Sequence, residues 1–145
     1  MPLRALPAAC NALIRRCIDL RQLYRYAASA SEPGLRMVLN ENAQTLDMLI
    51  ADLQAQVHAA GGKPCACGSW RGAGRRQLAG WLVRFANRRD GAWIRALARQ
   101  ESSLLQAFER TIAGLPTESS RGLARQLPRL RGIHMDMHSL AGTAR

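Results

Sequence analysis

The sequence predicts an all-α protein: a four-helix bundle whose second and third helices are joined by a long crossover carrying a short extra helix. Three observations predict it. Apolar residues recur at helical spacing along four long stretches, with almost no alternating run of β-branched residues. Turn-forming segments, SASEPG, GGKPCACGSWRGAG and LPTESS, separate those stretches. Two of the connections are short and the middle one is long, which is the spacing of a bundle with a crossover. With 145 residues, 48% of them hydrophobic, the chain reads as a single domain over 1–145 with enough apolar surface for a core.

The first helix is predicted over about 7–30. Pro7 suits its first turn, where a backbone N–H is not needed. Leu6, Cys10, Leu13, Cys17, Leu20, Tyr24, Ala27 and Ala28 form its apolar stripe. Ser31 is placed to cap a second helix over about 32–60, which buries Leu35, Leu39, Asn42, Leu46, Leu49, Leu53 and Val57 and stops at Gly61-Gly62. The crossover, 61–89, is loop-like at first; Ser69 then caps the short extra helix, which ends near Asn87. Asp90 caps a third long helix over about 90–113, with Ile94, Leu97, Glu101, Leu104, Leu105, Phe108 and Ile112 on one face. The fourth, about 118–141, carries Leu123, Leu127, Leu130, His134, Met137 and Ala141, and Pro128 inside it predicts a kink or a freed carbonyl.

The stripes contain polar intruders. Successive helical residues turn by about 100°, so Asn42, Glu101 and His134 fall on apolar faces, whereas Asp19 and Glu41 fall in solvent. The segment GIHMDMHSL looks like a local metal box, but in a helix its two histidines share a face while Asp136 leaves it. His134 takes the centre of the fourth stripe, with His138 to one side. A carboxylate inside an apolar stripe is costly unless paired, so Glu101 is expected to hydrogen-bond His134 across the core, with Asn42 or Tyr24 joining. Cys17, Asn42, Glu101 and His134 thus form a predicted polar layer at mid-height.

The formal charge is +11, and of 21 basic residues all but Lys63 are Arg. Arg71, Arg75, Arg76, Arg84, Arg88, Arg89, Arg95 and Arg99 face a single nearby acid, Asp90. Such a block reads first as a solvated basic face, and as a nonspecific contact for nucleic acid, an acidic protein partner or anionic lipid second. Sequence-specific recognition has no supporting motif, and neither a phosphate loop nor a nucleophile elbow is present. Cys10 and Cys17 lie on a buried helix face, and Cys65-Ala66-Cys67 is a C-x-C in a loop with no second pair to close a zinc site. There is no membrane span, and the start lacks the pattern of a signal peptide, so a cytoplasmic location is expected.

LIRRCIDLRQLYRYAA, DLQAQVHAAGGKP, GSWRGAGRR, RQESSLLQAFERTI and the histidine of GIHMDMHSL, in this order, resemble a small bacterial four-helix-bundle family of unknown function within the ferritin-like superfamily. The resemblance covers about Leu6 to Leu140. It implies a ferritin-like bundle, dimeric through helix faces, without an established activity. Arg15 stands where that family carries an acidic residue before the helix-one cysteine. The superfamily's di-iron chemistry asks for two Glu and two Glu-x-x-His units, and no histidine here has an acid three residues earlier. Three functions follow as expectations. The first is a non-enzymatic bundle, stress-related or partner-binding, acting as a homodimer without a cofactor. The second is a degenerate ferritin-like protein holding one transition-metal ion through Glu101 and His134, with His138 as a third ligand. The third is a nonspecific binder of nucleic acid or anionic surfaces through 71–99.

Overall fold

A computed structural model of the chain describes residues 2–66, 68 and 90–143. Among them all regular structure is helical: α1 Pro2–Ala30, α2 Pro33–Ala59, α3 Asp90–Gly114, α4 Thr117–Ala124 and α5 Leu127–Thr143. The predicted crossover helix lies outside the described residues. No described helix is long and apolar enough to cross a membrane.

The first helix starts earlier than predicted, so Pro7 sits inside it rather than at its first turn. Its missing N–H costs only the bond to the carbonyl of residue 3, at the frayed end. The α1–α2 junction also differs from expectation. The Ser31 hydroxyl donates back to Ala27 O (2.6 Å), so Ser31 finishes α1 and does not cap α2. Glu32 is the N-cap instead: it is extended (φ −68°, ψ 160°) and its carboxylate accepts from Leu35 N (2.8 Å) and Gly34 N (3.3 Å). Arg36 donates to Ala28 O and Ser31 O, covering carbonyls that α1 leaves open.

α2 ends as the glycine pair predicts. Gly61 adopts φ +83°, and Gly61 N and Gly62 N donate to His58 O (3.0 Å) and Val57 O (2.9 Å), the Schellman pattern. A side chain at Gly62 would run into Pro7 (2.8 Å), so the chain leaves α2 pressed against α1. Asn11 then staples the exit: its Nδ2 donates to Lys63 O (3.0 Å), and its Oδ1 accepts from Cys65 N (2.8 Å). Gln54 donates to Cys65 O (2.9 Å) from the other side. Gly68 lies against the side chains of Ile18 and Asp19. Asp19 is therefore half-buried under the start of the crossover and not in solvent, because the return chain covers a face that helix periodicity leaves open.

The last predicted helix is two helices. Pro128 has no N–H to give Ala124, and α4 ends there. The turn at 125–126 closes with Gln126 N on Leu123 O (3.0 Å), and α5 opens with Leu130 N on Gln126 O (3.2 Å). Gln126 and Arg129 both donate to Asp52 Oδ2 on α2, at 3.2 and 2.5 Å, which pins the break to the neighbouring helix.

α1 packs on α2 and α3, and α5 packs on α3 and α2, so the long helices close a ring. Arg21 and Arg25 on Asp47, with Asn11 on Cys65, set α1 and α2 antiparallel. Asn42 on Met137 and Asp52 on Arg129 do the same for α2 and α5. Since α3 turns back at 115–116 and meets α5 at Glu101–His134, α2 and α3 run the same way. Each is about 40 Å long at ~1.5 Å per residue, and the connection between them must return that distance. The interior is filled by Tyr24, Leu39, Leu46, Leu49, Leu53, Leu97, Leu104, Phe108, Leu130 and Ile133, all below 2% exposed or close to it. Each such side chain contributes roughly 1.5–3 kcal/mol over leaving it in water.

Candidate functional site

Glu101 comes from the buried stripe of α3, one turn after Leu97 and one before Leu104, and its side chain is fully excluded from solvent. The same stripe that makes α3 amphipathic carries it inward. His134 comes from α5, where Leu130, Ile133 and Met137 are the buried residues. Those three put His134 at the edge of the buried face, with 28% of its side chain exposed, and not at the stripe's centre. Ile133 is the reason: it is buried although the predicted stripe leaves it out, and with it the centre of the buried face moves away from His134.

His134 Nδ1 and Glu101 Oε2 are 2.6 Å apart. The other carboxylate oxygen, Oε1, is buried without a hydrogen-bond partner among the described residues. Burial pushes the Glu101 carboxyl above the ordinary range, opposed by the contact with His134. Burial, and then the nearby Glu101 carboxylate, push the Tyr24 phenol well above its ordinary value. Asn42 is buried at the same level, but its Nδ2 donates to Met137 Sδ (3.7 Å). His138, one turn after His134, is exposed, and the two rings meet edge to face, centroids 4.3 Å apart at 81°.

Cys17 is fully buried, and burial holds its thiol far above the ordinary range. Among the described residues Glu101 is the one carboxylate buried in the core, where a di-iron centre would need four. The donor set does not fit a di-iron site. Among the described residues no three His, Cys, Asp or Glu side chains gather closely enough to hold one ion. Asp136 is exposed.

Of the basic block, Arg71, Arg75, Arg76, Arg84, Arg88 and Arg89 lie outside the described residues, as does Cys67. Arg95 and Arg99 are exposed on α3. Cys65 is half-buried in the stapled exit from α2. Sequence reasoning missed the Asp52–Gln126–Arg129 cluster. Its only readable signal was Pro128, which predicts a disturbed backbone nearby but not the helix that receives it.

A family described as a domain of unknown function (DUF2383) matches residues 8–114, about three quarters of the chain. The match takes in α1 to α3 and Glu101, and stops before His134. No curated protein and no solved structure matches.

Proposed function

The chain belongs to the DUF2383 family of domains of unknown function, and from that premise we propose a ferritin-like four-helix bundle that works as a homodimer through its outer helix faces and not by catalysis. The α2–α3 parallel arrangement, with its long return, supports the ferritin-like connectivity. The direct Glu101–His134 contact supports a structural role for the polar pair, fixing the register of α3 against α5.

One observation carries the dimer. Met37 and Met48 are 64% and 54% exposed, and their spacing of three helical turns puts both on the ridge of α2 that faces away from the core. Flexible, polarizable methionines on an outer ridge suit a packed protein contact. The ridge alone is about 40 Å by 10 Å, short of the roughly 800 Å² per partner of a standard interface. A full interface therefore takes in residues flanking the ridge as well.

Light scattering on the eluting protein tests this. A dimer is expected at micromolar concentration, and Met37→Asp with Met48→Asp should make it a monomer with unchanged helicity. A wild-type monomer at submillimolar concentration, or a dimer that survives both substitutions, overturns the reading.

A further inference from the structure

We infer that His134 and His138 form a two-histidine site on α5 for a divalent late first-row transition metal, with Glu101 orienting His134 from behind and not binding the ion itself. The argument begins with spacing. Residues four apart on a helix stand one above the other on one face, and here the two rings already meet with centroids 4.3 Å apart. At a metal–nitrogen distance of about 2.0–2.1 Å, two imidazoles sharing an ion have centroids about 4.5 Å apart at a right angle and about 5.2 Å apart at zinc's tetrahedral angle. A small ring rotation reaches that geometry, and His138, being exposed, is able to make it.

The direction of each nitrogen decides which side the ion takes. His134 Nδ1 is turned to Glu101 Oε2 at 2.6 Å, in the core. Nε2 is the ring's other nitrogen, free of the Glu101 contact, and 28% of the His134 side chain is open to solvent. With Nδ1 engaged by Glu101, Nε2 is the ring nitrogen left to face a metal. A carboxylate behind a ligating histidine is the usual outer-shell arrangement, fixing the tautomer and raising ligand basicity. An ion placed between Glu101 and His134 would have to open the 2.6 Å contact and enter a core with no third donor gathered there. The outward site needs neither step, and water completes its coordination.

Ligand type sets the class of ion. Two neutral imidazoles suit Cu²⁺, Ni²⁺ and Zn²⁺ and not the oxygen-seeking Mg²⁺ and Ca²⁺. The net charge of +11 works against any cation, so affinity is modest. This site stands apart from the dimer reading, since it uses α5 and not the α2 ridge.

Zn²⁺ titration of the full-length, tag-free chain tests it, in a Cys65→Ser/Cys67→Ser background that removes competing thiolates. Calorimetry should give one Zn²⁺ per chain, and imidazole nitrogen NMR should move His134 Nε2 and a His138 nitrogen while exposed His58 stays put. His138→Ala alters an exposed residue and should weaken binding at least about tenfold with helicity unchanged. Glu101→Gln should weaken it about tenfold, the low end for outer-shell partners. Three results overturn the site: no saturable binding below millimolar Zn²⁺, equal affinity in His138→Ala, or a Zn²⁺-induced shift at His134 Nδ1 with Nε2 unmoved.

Discussion

A carboxylate with no solvent exposure keeps its place in a helical core only while something satisfies it. At Glu101 that something is one ring nitrogen, since Oε1 has no partner. His134→Ala should therefore cost about 1–3 kcal/mol in urea unfolding, the penalty of stranding a buried polar group. Glu101→Leu should cost less, because the abandoned imidazole still reaches water while the core gains an apolar residue. The sign with pH follows from the raised carboxyl: a folded-state value above the unfolded one favours the protonated acid. The penalty of His134→Ala should thus be small below about pH 4.3 and grow as pH rises toward neutrality. A milder effect for His134→Ala than for Glu101→Leu would show that the imidazole is not what satisfies the buried carboxylate. Both residues were visible in the sequence as polar intruders in apolar stripes, and so was their pairing as an expectation. His134's place at the edge of its stripe was not, because that depends on which side of α5 the other helices cover, and they cover Ile133.

At the scale of elements, caps and breaks were legible where a backbone rule dictates them and misread where two side chains compete. Gly61 ends α2 because few other residues accept its positive φ. Ser31 and Glu32 both could cap α2, and the deciding signal was Pro33: the residue before proline is pushed out of the helical region, so Glu32 must be the extended one. Pro128 announced a disturbance, but not that the Gln126 and Arg129 side chains beside it donate to Asp52 on α2. Its carboxyl is held below the ordinary range by the Arg129 hydrogen bond first and that of Gln126 next. With a depressed folded-state value, its contribution is present above about pH 3.9 and lost as pH falls below that. Asp52→Asn should therefore lower the urea midpoint slightly at neutral pH, by well under about 1 kcal/mol for so exposed a pair, and not at all near pH 2. A difference that persists at that pH would assign the effect to packing and not to charge.

Across the whole molecule, the ring of long helices seals two thiols. Cys10 and Cys17 have no exposed surface, and burial pushes the Cys10 thiol up to about 11 and Cys17 higher still. Since the thiolate is the reactive form, neither should react with iodoacetamide in the native protein at neutral pH. Both should react once urea crosses the unfolding midpoint, as mass spectrometry of the cysteine-containing peptides would report. Rapid native labelling at either position would mean that α1 opens from the ring far below the global transition.

The sequence by itself determined that this chain is helical, which residues line α1, α2 and α3, and that Glu101 had to find a buried partner. Those follow from a period of 3.6 and from the cost of burying a charge, both local or nearly so. It took the assembled helices to put Asp19 under the exit from α2, to separate α4 and α5 at 125–126, and to turn His134 Nδ1 to Glu101 while leaving 28% of its side chain in solvent. Each depends on the position of a second segment far away in sequence, and no periodicity within one helix carries that information.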